Sequence, residues 1–350
     1  VGRRTAVLVA VALALAVPSA LAAAGVYAWH DTPTGSDARL RGAAAVGPRT
    51  AWASGSLGTV LRTTDRGATW DEVGPPGTDA LQFRDIAAFD ADHAVILGIG
   101  DTPDAFRVYV TADGGRHWTL GFQNTDPNAF YDCMTFVDRK RGFAVSDPPD
   151  GKKFRIIRTD DGGYSWRVLD SSRMPDALPG EFAFAASGQC LTSARGGRTI
   201  WLATGGAAQA RVFRSTNLGE SWTVSATPVR SGPSGGIFAL AFRDERHGIA
   251  VGGDFLTPDD SPDNFALTND GGRTWTLVPD APAEYRSGAA WVNGHTVVAV
   301  GPTGSDVSTD AGHTWTRFDD GSLDTVDCAS PRACWAAGAA GRVAYLVRTP

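Results

Sequence analysis

Thr111-Ala112-Asp113-Gly114-Gly115-Arg116-His117-Trp118 is one of six copies of a single pattern, and its reading decides the fold. The others are Thr63–Trp70, Thr159–Trp166, Ser215–Trp222, Thr268–Trp275 and Ser308–Trp315. Each has a hydroxyl residue, then Asp65, Asp113, Asp161, Asn217, Asp270 or Asp310 two positions on. A Gly follows after two more, and each copy ends in Trp70, Trp118, Trp166, Trp222, Trp275 or Trp315. This is turn chemistry. An Asp or Asn side chain accepts hydrogen bonds from backbone N–H groups just ahead of it. The Gly supplies a backbone angle that other residues resist. The Trp opens the next strand with a large apolar anchor. Asn217 keeps the acceptor oxygen, so the fourth copy is expected to fold like the rest.

The intervals between these tryptophans are 48, 48, 56, 53 and 40 residues. Between them lie short apolar or alternating runs bounded by Gly, Pro or Asp, such as Phe83–Phe89, His93–Ile99 and Phe106–Val110. Such runs read as strands. Each repeat therefore holds four strands, A to D, with the turn between C and D. Four-stranded units of this length are propeller blades. Removing about 24 leading residues and dividing the rest by seven gives roughly 47 per blade. Six blades carry the turn. A seventh, over 321–350, has strands A to C at Leu323–Cys328, Ala333–Ala337 and Arg342–Val347 but no D. Its missing strand is expected from Tyr27–Asp31, with Trp29 standing where the other blades have their turn Trp. The reading is an all-β, seven-bladed propeller of four-stranded antiparallel blades, its ring closed by an N-terminal strand.

The turn pattern resembles the Asp-box, or bacterial neuraminidase repeat. The arrangement along nearly the whole chain resembles the photosystem II assembly and stability factor family. That resemblance implies a seven-bladed ring and a membrane-proximal role in escorting protein assembly, through an arginine-rich patch.

Composition fits an exported β-protein. The 350 residues include 42 Gly and 20 Pro, and 43% are hydrophobic. The net charge of −6 disfavours a general nucleic-acid binder. Arg3-Arg4, the apolar run Thr5–Val17, Pro18 and the small residues to Ala24 read as a signal peptide over 1–24, leaving the propeller at 25–350. An uncleaved anchor is the alternative. Cys328 and Cys334 flank a tight turn and are placed for a disulfide; Cys133 and Cys190, 57 apart, read either as unpaired core thiols or as a second pair. None of the six His forms a ligand-spaced pair, so no metal is expected. No dinucleotide, haem or flavin motif occurs, so no cofactor is expected and an oxidoreductase has little support.

In a propeller the A strands line the central channel, and ligands gather at its mouth. Residues at A-strand starts and B-strand ends give the candidate pocket: Arg41, Arg84, Asp85, Asp132, Asp147, Glu181, Asp254, Tyr285 and Arg286. Glu181 opens the run Phe182–Ala186, read as the start of an A strand. Two function classes follow. One is a monomeric binding or assembly module for a protein, or for a small polar or carbohydrate ligand. The other is a glycosidase of the sialidase type, whose arginine clamp, Tyr–Glu pair and acid Asp find matching residue types in Arg41, Arg84, Arg286, Tyr285, Glu181 and Asp85. Against it stand the six blades of sialidases and the absence here of their Arg-Ile/Leu-Pro motif.

Overall fold

The computed structural model describes Gly2, residues 26–194 and residues 196–349. Apart from Gly2, the expected signal segment lies outside the described residues. Seven four-stranded antiparallel sheets follow one another around a ring. Their A strands are Leu40–Ala45, Gln82–Ala88, Tyr131–Phe136, Leu191–Ser193, Gly235–Phe242, Gly288–Trp291 and Thr325–Ser330.

The repeated turn is built as its residues dictate. The Thr63 hydroxyl donates to the Asp65 carboxylate at 2.8 Å and accepts the Gly67 N–H at 2.9 Å. Asp65 in turn accepts the Thr69 N–H at 3.0 Å and its hydroxyl at 2.7 Å. These donors hold the Asp65 carboxyl down at about 2. Asn217 repeats the arrangement, accepting the Ser221 N–H at 3.0 Å.

Between successive blades lie seven apolar clusters, one per interface. Leu40, Leu61 and Trp335 fill the interface of blades 7 and 1, and Trp52, Phe83 and Ile96 that of blades 1 and 2. The deepest tryptophans are Trp52, Trp201 and Trp335 on B strands, while most turn tryptophans are half-buried.

The ring closes as expected. Val26–Thr32 pairs antiparallel with Val343–Thr349, supplying strand D of blade 7. Trp29 stands opposite Leu346. Its indole N–H reaches Ser305 of blade 6 at 3.0 Å, much as Trp118 reaches the Val73 carbonyl of blade 1 at 2.7 Å.

One open reading is decided and one is corrected. Cys133 and Cys190 are not thiols but a disulfide, with Cα atoms 5.8 Å apart. Successive A strands are neighbours around the channel, so residues 57 apart meet there. Cys328 and Cys334 are also bridged, across the A–B hairpin of blade 7. The correction concerns blade 4. Its A strand begins at Leu191, not at Glu181. Residues 182–189 instead run into the channel. The Gln189 amide bonds the carbonyls of Ala289 and Val326, each at 3.0 Å, and Ser187 bonds the Ser287 carbonyl at 2.6 Å. Blade 4 thus ties itself to blades 6 and 7 across the axis and plugs the channel.

Closure through Trp29 is testable. Trp29→Ala should cost about 3 kcal/mol or more in a urea melt, whereas Val26→Ala, at the exposed end of the same strand, should cost under about 0.5 kcal/mol.

Candidate functional site

The plug divides the channel into two mouths. One mouth is a cavity of about 590 Å³ that gathers Arg41, Arg84, Asp132, Asp147 and Tyr285 from the predicted set. Arg39, Asp324 and the rings of Phe130, Phe182, Phe184, Phe238 and Phe255 complete its wall.

A recurring backbone irregularity aims these side chains. The A–B register slips at Leu40/Gly42, Phe83/Asp85, Tyr131/Cys133 and Ile237/Ala239. The extra residue is Arg41, Arg84, Asp132 or Phe238, all of which line the cavity. A bulge leaves one residue unpaired and re-aims it. Blade by blade from the seventh, the mouth therefore reads Asp324, Arg41, Arg84, Asp132, then Phe182 and Phe184 of the plug, Phe238 and Tyr285. One half of the ring is charged and the other aromatic. Phe184 and Phe238 stack at 3.8 Å, and Tyr285 meets Phe238 edge-on at 4.6 Å.

The charges are unevenly matched. Arg39 is paired with Asp324 at 2.6 Å. Arg41 makes no side-chain hydrogen bond or ion pair among the described residues. Arg84 donates to the Ala185 carbonyl at 2.6 Å and to Gln82 at 2.8 Å, with no carboxylate partner among the described residues. Burial, with Arg41 and Arg39 nearby, lowers Arg84 to about 10, so it stays charged at neutral pH. Asp132 is buried, and its Oδ2 has no hydrogen-bond partner among the described residues. Burial and the adjoining Asp147 carboxyl push Asp132 well above the carboxylate range. Burial raises Asp147 to about 7. Asp147 also accepts the Ala183 N–H of the plug at 2.8 Å.

Four predicted residues are not in this cavity. Asp85 follows the bulged Arg84 and points to the opposite mouth, where it accepts the Met134 N–H at 2.6 Å and lies against Gly188. Glu181 is buried in an ion pair with Arg211 and accepts the Thr204 hydroxyl at 2.6 Å. Arg286 is fully buried on Asp306 at 2.7 Å and Thr303 at 2.8 Å. Asp254 caps the Leu256 N–H at 2.9 Å and lines a separate small cavity with Arg230 and Ser261. The aromatic wall went unpredicted, although the Phe182-x-Phe184 spacing carried a signal for it.

Two of the most similar solved structures are of YCF48. In fold, the chain is similar to YCF48. The match to YCF48 bound to D1 peptide has a TM-score of 0.65 at 15% identity, covering 92% of this chain and 96% of that one. YCF48 from Cyanidioschyzon merolae gives 0.65 at 18% identity, covering 92% and 98%. The GH74 enzyme of Niastella koreensis gives 0.61 at 13% identity, covering 90% of this chain but 53% of the enzyme. YCF48 therefore matches ring for ring, and the enzyme over about half its length. No family model matches the sequence, and no curated protein does.

The carboxyl pair makes stability depend on pH. A folded-state value near 7 for Asp147, against about 3.9 when unfolded, means that the folded chain holds the extra proton between those values. Stability should then fall by about 1–3 kcal/mol as pH rises from 5 to 8. Asp147→Asn should remove Asp147's share of that slope in urea melts at both pH values, leaving the share of the buried Asp132 and Asp85 carboxyls.

Proposed function

We propose that this protein is a non-catalytic binding module whose ligand enters the plugged mouth. The observation that carries the reading is a pair of arginines, Arg41 and Arg84, facing an aromatic-walled cavity without a carboxylate partner among the described residues. Holding two cations half-buried and unpaired is costly, and an anionic group on a ligand relieves that cost with charge-assisted hydrogen bonds. Apolar walls with a few convergent polar groups are the usual makeup of a ligand pocket. The fold likeness to YCF48, which is described bound to D1 peptide, supports a protein segment as partner.

The glycosidase reading loses its parts. Hydrolysis needs two carboxyls roughly 5–10 Å apart across a sugar. Glu181 is tied to Arg211, Asp85 faces the other mouth, and Asp132 adjoins Asp147 directly. The third clamp arginine, Arg286, is buried on Asp306. We also assign the protein to an oxidising compartment outside the cytoplasm. The apolar run Thr5–Val17 and the two disulfides support that.

Peptides selected by display on the purified propeller test the binding reading. They should bind Arg84→Gln at least ten-fold more weakly, with no change on Arg332→Gln, an exposed site on blade 7. Selected peptides that bind both variants equally would sink the mouth as the binding site.

A further inference from the structure

The charged half of the mouth has an order that an anion alone does not explain. Arg84 and Asp132 occupy neighbouring bulges, close enough for each to influence the other electrostatically. They nevertheless form no ion pair. Arg84 turns its donors to Gln82 and to the Ala185 carbonyl of the plug. Asp132 is left 1% exposed with an unpartnered Oδ2. Two buried carboxyls in contact, one of them with an unpartnered oxygen, are rare and call for a further donor. The mouth thus offers unmet cations at Arg41 and Arg84, a carboxyl pair beside them, Asp132 and Asp147, with no ion pair among the described residues, and an aromatic wall formed by Phe184 and Phe238.

We propose that the mouth takes a zwitterionic α-amino acid with a large apolar side chain. Its carboxylate lies between Arg41 and Arg84, its ammonium donates to Asp132, and its side chain packs on Phe184 and Phe238. This rests on the reading of the mouth as a ligand site. An ammonium and a carboxylate on one carbon complement an acceptor and two donors on adjacent blades. The cavity of about 590 Å³ holds such a molecule with its first waters. The ammonium also replaces the proton that Asp132 and Asp147 otherwise share. The charged and titratable groups around that pair are Arg84, then Arg41, Arg39 and Asp324, with Tyr285 across the cavity.

Calorimetric titration with L-phenylalanine, N-acetyl-L-phenylalanine and L-phenylalaninamide tests this. Phenylalanine should bind, and blocking either end should weaken binding at least ten-fold. Arg84→Gln should shrink the penalty for the amide, Arg41 keeping the rest, and Asp132→Asn should shrink the penalty for the acetyl compound. Phenylalanine affinity should rise up to about ten-fold from pH 6 to pH 8, as the pair gives up its proton. If N-acetyl-phenylalanine binds as well as phenylalanine, or affinity falls over that pH range, the site takes only an anion and the inference is overturned. If phenylalanine fails to bind while display-selected peptides still depend on Arg84, the inference fails and the binding module stands. Failure of both overturns both.

Discussion

A ring of seven sheets has no fixed centre until it closes. Closure here rests on the ladder between Val26–Thr32 and Val343–Thr349, seven facing pairs that join the first and last strands of the ring. It turns two open sheet edges into a completed blade. It also seats Tyr27, Trp29 and Leu346 in the apolar interface with blade 6. Only then do Arg39 of blade 1 and Asp324 of blade 7 meet. The site is therefore a property of the closed ring and belongs to no single blade.

The mouth acquires its character from two departures from regular blades. The bulges in blades 1, 2, 3 and 5 turn one residue per strand toward the axis. The plug removes the open channel and gives the cavity a floor. The two are linked. Arg84 holds the plug carbonyl of Ala185, Asp147 holds the plug amide of Ala183, and the Cys133–Cys190 disulfide fixes the plug's far end to blade 3. A rigid scaffold can carry unmatched charge that a flexible one would relax away. Perturbed ionisation gathered in one cleft is what binding and catalytic sites share.

Much of this was legible in the residues. The six turns and the short apolar runs between them gave the strands of each blade, because turn chemistry is local; chain length gave the blade number, and the missing strand D gave the seam at Trp29. The residue types of the mouth were legible too, since they cluster at A-strand starts. Which neighbour enters the channel was not. Arg84 and Asp85, Tyr131 and Asp132, and Tyr285 and Arg286 are adjacent, and strand periodicity sends the members of a pair within a strand to opposite sides. A one-residue bulge decides the first two pairs, and nothing in composition marks a bulge; Tyr285 and Arg286 precede the A strand that opens at Gly288, where strand periodicity does not apply. Glu181 was misread for a different reason. Phe182–Ala186 looks like a buried strand, yet it is the plug. The clue was length, since the 56-residue interval from Trp166 to Trp222 is the longest of the five. The extra residues are those that cross the axis.

Hydrogen exchange over residues 182–190 and 289, followed by mass spectrometry, tests the plugged channel most directly. The Ala183 amide is bonded to Asp147 and the Ala289 amide to Gln189. Both segments should exchange as slowly as the buried strand Gly142–Ser146. Exchange within seconds, at the rate of an exposed loop, would mean that the segment does not cross the channel and that the cavity has no floor.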